Sequence, residues 1–115
     1  MTSLNKDLLQ EVIGKEYKVL KVTKHSIKVI HEEAFNSVDW CEHKVAHMCK
    51  EWVLSKGYYF SIYSFNFSFN TEQEHRIRLL IGNEVVYWGD DSCEETEPEA
   101  IFKATQWIPN NKDLT

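Results

Sequence analysis

Apolar residues return with a helical period in three stretches of the chain and with a two-residue period between them. Leu4, Leu8, Leu9, Val12 and Ile13 mark one face of a first helix that Ser3 can cap and Gly14 can stop. Tyr17 to Val22 and Ile27 to Glu32 are rich in β-branched and aromatic residues around the connection Thr23-Lys24-His25-Ser26, which predicts a β-hairpin. His31 to Asp39 reads as a loop. Cys41, Val45, Met48, Cys49, Trp52 and Val53 then recur every three or four residues up to Gly57, predicting a second amphipathic helix capped by Asn36, Ser37 or Asp39.

The pattern is most informative from Tyr58 to Asn70, because its phase changes. Tyr58, Phe60 and Ile62 are even-numbered, whereas Tyr63, Phe65, Phe67 and Phe69 are odd-numbered, and one uninterrupted strand cannot turn both sets to the same face. Either a bulge near Ile62-Tyr63 re-aims the chain, or the second set forms an outward aromatic row. After the polar turn 70–75, Arg76 to Ile81 alternates arginine with Ile77, Leu79 and Ile81, and Gly82-Asn83 suits a two-residue turn into Glu84 to Trp88. Thr96-Glu97-Pro98-Glu99 is a capping box for a third helix, with Ile101, Ala104, Thr105 and Ile108 on its buried side and Pro109 at its end.

The predicted order is α-β-β-α-β-β-β-α: an α+β fold with three helices on one central antiparallel five-stranded sheet, packed as a sandwich. A single domain is expected over residues 1–109, followed by a frayed polar tail, 110–115. The 115 residues, 43% hydrophobic and 13% aromatic with 4 Gly and 2 Pro, fit an ordered domain of ordinary size. No stretch approaches the roughly 20 apolar residues of a bilayer span, the N-terminus lacks a signal-peptide pattern, and three unrelated cysteines suggest reduced thiols. A cytoplasmic protein is expected.

The formal charge of −5 is uneven. Residues 1–57 carry nine Lys against eight acids (+1), and residues 58–115 carry four basic residues against ten acids (−6). Five lysines fall between Lys15 and Lys28, while seven acids and no Lys or Arg fall between Gly82 and Phe102. The acidic balance argues against binding dominated by phosphate contacts.

Three local patterns resemble the phage ABA sandwich domains, small proteins of bacteriophages and prophages. These are Leu8-Leu9-Gln10-Glu11-Val12-Ile13-Gly14 before a strand, Trp52-Val53-Leu54-Ser55-Lys56-Gly57-Tyr58-Tyr59-Phe60-Ser61-Ile62 from helix to strand, and Glu95-Thr96-Glu97-Pro98-Glu99-Ala100-Ile101-Phe102-Lys103-Ala104 at the last helix. The resemblance implies a phage origin and helices on a central antiparallel sheet. It carries over no catalytic or ligand residues. Family members commonly continue the last helix with small Ala-rich positions and often a Cys, where Phe102, Gln106 and Trp107 stand here.

Several clusters invite a chemical reading. His43 and His47 lie four apart on one helical face and are the candidate metal ligands, needing a third from His25, His31 or His75. A solvent-facing histidine pair is the simpler expectation, so no cofactor is predicted. Asp39, Cys41 and His43 have the residue types of a nucleophilic site, but Cys41 and Cys49 share the apolar stripe, where buried thiols are inert. Cys93 stands among carboxylates that disfavour its thiolate. No phosphate loop, Cys-x-x-Cys pair or nucleophile elbow occurs, and a non-enzymatic protein is expected.

The acidic run Asp90, Asp91, Glu94, Glu95, Glu97 and Glu99 favours the helix N-terminus it precedes, and with Trp88 as an aromatic anchor it also suits a protein partner. The leading expectation is a phage accessory protein that binds a host protein through Asp90, Asp91, Glu94, Glu95 and Trp88. Inhibition of a nucleic-acid-handling or CRISPR-type defence complex would be its effect. The alternative is a single-strand nucleic-acid binder using Lys18, Lys21, Lys24 and Lys28 with Tyr63, Phe65 and Phe67. Those lysines also suit protection of a sheet edge, and the aromatic row also suits a core or a homodimer.

Overall fold

The structure is a computed structural model that describes residues 3–66, 73–89 and 96–111, with the backbone alone at 63–66 and 73–76. Among the described residues three helices and six strands follow in the order α1 (Lys6–Ile13), β1 (Tyr17–Val22), β2 (Ser26–His31), β3 (Val38–Cys41), α2 (Glu42–Ser55), β4 (Tyr59–Asn66), β5 (Gln73–Ile81), β6 (Glu84–Trp88) and α3 (Glu97–Asn110). The strands form two separate antiparallel sheets, β1-β2-β3 and β4-β5-β6. The single five-stranded sheet expected from the sequence is therefore wrong, while the α+β mixture and the final three-strand meander stand.

The overlooked strand is β3. Val38-Asp39-Trp40-Cys41 alternates with period two and pairs with β2 from Val29↔Val38 to Ser26↔Cys41. Four residues are too few for a secure period, and Cys41 also fits the helical stripe that follows. Indeed the chain passes from strand to helix without a loop: Cys41 is at once the last residue of β3 and the N-cap of α2. Its side chain makes no capping bond, so Asn36, Ser37 and Asp39 do not cap this helix. The Glu42 N–H instead donates to the His25 carbonyl at 3.0 Å, tying the start of α2 to the β1–β2 turn. No pairing joins a strand of the first meander to one of the second among the described residues, so each closes as its own sheet.

Helix ends explain other differences. Asn5, rather than Ser3, caps α1, its Oδ1 accepting from the Leu8 N–H at 2.8 Å. The Ser3 hydroxyl reaches across to the Glu99 carboxylate at 3.2 Å. At the end of α2, the Tyr58 N–H donates to Val53 O and the Gly57 N–H to Leu54 O, a Schellman arrangement that uses the positive φ (89°) of Gly57. Pro109 does not stop α3, which runs on to Asn110. In the last turn proline's fixed φ remains helical, and only its own hydrogen bond is lost.

One core joins both sheets to the helices. α1 packs on β1, α3 on β5, and α2 touches both other helices as well as β3 and β4. Val19, Ile27, Val29 and Trp40 from the first sheet and Ile77 and Leu79 from the second are buried together with Leu9, Val45, Val53, Ile101 and Phe102. Thr105 is the buried polar side chain of α3, and its hydroxyl donates to the Ile101 carbonyl at 2.7 Å. No helix among the described residues is long and apolar enough to cross a membrane.

Candidate functional site

The phase change in β4 is resolved by its pairing. β4 runs against β5 from Tyr59↔Leu80 to Asn66↔Gln73 without a register shift, so there is no bulge at Ile62-Tyr63. Phe60 packs on the core opposite Leu79, and the odd-numbered positions hold the opposite phase. Tyr59 shows the consequence, being 54% exposed. Tyr63 pairs with Arg76 and Phe65 with Glu74 along the backbone; their side chains, and all of Phe67 and Phe69, lie outside the described residues.

The outer face of the second sheet follows from this register. Ser61, Arg78 and Trp88 form one cross-strand row, and Tyr59, Leu80 and Val85 the next. A shift between Leu79 and Leu80 places one extra β6 residue between the rows. The Arg78 guanidinium lies 4.5 Å from the centroid of the Trp88 ring, and that ring is still 56% exposed. α3 packs on the opposite face, where Ile77 and Leu79 are buried and Tyr87 meets Trp107 at 5.7 Å. Gly89 closes the sheet directly after Trp88, with its backbone so near β5 that a Cβ there would strike the Ile77 carbonyl.

Trp88 is thus the residue of the expected partner site that lies within the described residues, and it stands on an open surface. Its neighbour Arg78 was missed, although the alternation of Arg76 and Arg78 with Ile77 and Leu79 carries the signal. Asp90, Asp91, Glu94 and Glu95 lie outside the described residues, between Gly89 and Thr96.

The basic hairpin belongs to the other sheet. Lys18, Lys21 and Lys28 are exposed on the outer face of β1 and β2, where Lys28 stands between Lys21 and Asp39 across the ladder, and Lys24 is exposed in the turn. No strand pairing joins them to β4, so the lysines and the aromatic strand do not form one continuous sheet face.

His43 and His47 face a cavity of about 420 Å³ between α2 and the start of α3, which Lys50, Thr96 and Glu97 also line. Polar side chains there already have partners: Lys50 Nζ meets Glu97 at 3.1 Å, and His47 Nε2 meets Glu51 at 3.1 Å. His25 is engaged with Glu42 and His31 with Glu16, and of His75 only the backbone is described. Among the described residues no three His, Cys, Asp or Glu side chains converge as metal ligands.

The cysteines divide. Cys41 is exposed, against expectation, because its strand position turns it away from Trp40. Cys49 is buried, and burial pushes its thiol from the ordinary 9.0 up to about 12, against the opposing effect of its hydrogen bond with Thr105. A thiol held so fully protonated is a poor nucleophile. Comparison with protein-family models, curated proteins and solved structures gives no match.

Proposed function

We propose that this chain is a non-enzymatic binding protein that engages a partner protein through the outer face of β4-β5-β6 and the acidic segment that follows it. The observation that carries the reading is the half-exposed Trp88 ring stacked on Arg78, with exposed Tyr59 in the adjacent row. Trp, Tyr and Arg are the residues that most often anchor protein interfaces, and pre-stacked side chains lose little further freedom on binding. Asp90, Asp91, Glu94 and Glu95 add four negative charges immediately after this anchor in the sequence. The matching partner surface is basic, with a pocket or ledge for an indole ring.

Nucleic-acid-handling proteins present such surfaces. Together with the resemblance to phage ABA sandwich domains, this suggests a host nucleic-acid-handling or antiviral defence complex as the target, blocked in the host cytoplasm.

The test is capture of host proteins on the immobilised chain, read by mass spectrometry. A specific partner should be lost with Trp88→Ala and with combined reversal of Asp90, Asp91, Glu94 and Glu95 to Arg, but kept when Lys18 and Lys28 become Ala. Equal retention by all variants sinks the assignment. Binding to single-stranded oligonucleotides that falls steeply with salt would replace it with the aromatic stacking reading.

A further inference from the structure

The loop between β2 and β3 holds an apolar side chain with no place in the core. Phe35 is 99% exposed at its tip, flanked on the N-terminal side by Glu32 and Glu33. The loop is nonetheless held in shape. The Glu33 N–H donates to His31 Nδ1 at 3.1 Å, the Ala34 N–H to the His31 carbonyl at 3.0 Å, and the Glu32 N–H to the Glu16 carbonyl at 2.9 Å. An isolated exposed apolar residue is ordinary, but a fully exposed phenyl on a loop braced at three consecutive amides is pre-organised for contact.

The last of these bonds places the loop beside a second feature. Glu16 belongs to the α1–β1 turn, and that turn borders an open, mainly apolar cavity of about 570 Å³ lined by Gln10, Glu11, Gly14, Lys15, Tyr17 and Lys18. Its wall is fixed by Gln10, whose amide donates to the Gly14 carbonyl at 2.9 Å and the Tyr17 carbonyl at 2.6 Å, and whose oxygen accepts from the Val19 N–H at 3.2 Å. Two lysines rim the cavity, two glutamates flank Phe35, and among the described residues none of these four side chains is in an ion pair.

We infer that this end of the first sheet is a self-association surface, on which Phe35 of one copy enters the Gln10–Tyr17 cavity of a second. The occupant is a second copy because charge complementarity is built into the chain: Glu32 and Glu33 accompany the phenyl, and Lys15 and Lys18 stand at the mouth of the cavity. The knob and the cavity are neighbours on one end of the molecule, so a two-fold axis allows each copy to fill the other's cavity and closes the assembly at a dimer. This surface is separate from the outer face of the second sheet, so it stands or falls independently of the proposed partner site.

Sedimentation equilibrium of the whole chain over a concentration series tests it. A species of twice the 13.6 kDa chain mass is expected to grow with concentration and to weaken with salt. Phe35→Ala should raise the dimer dissociation constant roughly tenfold or more, and Phe35→Asp further, with no change in thermal midpoint at concentrations low enough for the wild-type chain to be monomeric, because the ring is 99% exposed there. Lys15→Glu with Lys18→Glu should also weaken the dimer, and adding Glu32→Lys with Glu33→Lys should restore it. A monomer at every concentration up to the solubility limit overturns the inference. So does a dimer that Phe35→Asp leaves intact, or a charge swap that restores nothing.

Discussion

The two sheets have the same plan, three antiparallel strands with helices on one face, yet each carries its tryptophan on the opposite side. Trp40 of β3 turns inward, is buried, and packs on Tyr17 at 4.7 Å with the Lys44 ammonium 4.2 Å from its centroid. Trp88 of β6 turns outward with Arg78 over its ring. The outer face of the first sheet is instead given to Lys18, Lys21 and Lys28. Charged side chains keep an exposed face soluble and discourage pairing with other chains, whereas an exposed indole on an arginine does neither. The same architecture has thus been turned to solvation in one sheet and to contact in the other.

The sharpest way to break that comparison is to truncate both rings. Trp40→Ala removes a ring from the core and should cost about 3–5 kcal/mol. Trp88→Ala should cost about 1 kcal/mol or less, as expected of an exposed position. Urea unfolding measures both; equal costs would mean that Trp88 is structural and that the outer face is not a free surface. Next in size is Gly89→Ala. The added Cβ meets backbone, the Ile77 carbonyl, so strand β6 must shift, at roughly 1–3 kcal/mol. The shift should perturb backbone NMR signals of β5 and β6 and spare β1 to β3. A change spread equally over both sheets would show that they do not respond separately.

Cys49 on the shared helix α2 probes the core beneath both sheets. Burial raises its folded pKa from 9.0 to about 12, so below pH 9 the thiol is protonated in both states and costs nothing. Between pH 9 and 12 the unfolded chain releases a proton that the folded chain retains, and stability falls. At pH 10 the loss is about 1 kcal/mol. The difference between wild type and Cys49→Ala in unfolding free energy across pH 8 to 10 isolates it, and a flat difference would mean that the thiol is hydrated. Thiol labelling at pH 8 should modify exposed Cys41 and leave Cys49 intact.

What the sequence disclosed follows from how many residues carried each signal. The stripe Ile101, Ala104, Thr105 and Ile108 spans two helical turns and is buried as expected, and Phe102 and Trp107, the departures from the resembled family, are packing residues too. β3 has only four residues, and its merger with α2 at Cys41 hid both the strand and the division into two sheets. The phase change in β4 posed the right alternatives, but only the ladder with β5 could choose between them. Trp88 was found from its place beside the acidic run. Arg78 was not, because its partner lies one strand away and sequence distance conceals cross-strand neighbours.

The smallest effect is the interaction between those two side chains. A double-mutant cycle over Arg78→Ala and Trp88→Ala should give a coupling of about 0.5–1 kcal/mol, because solvent reaches the ring and weakens the attraction. The corresponding cycle over Lys44→Ala and Trp40→Ala compares a cation above a buried ring. Desolvation should strengthen that pair, so its coupling should equal or exceed the outer one. Arg78→Lys tests whether the outer pair is more than a point charge: the planar guanidinium stacks on the indole and an ammonium does not, so lysine should retain only part of the coupling. If partner capture falls with Arg78→Lys while stability hardly moves, the stacked pair acts as a pre-formed contact rather than as a support for the sheet. If stability and capture fall together, Arg78 holds β6 in place and Trp88 owes its exposure to the strand alone.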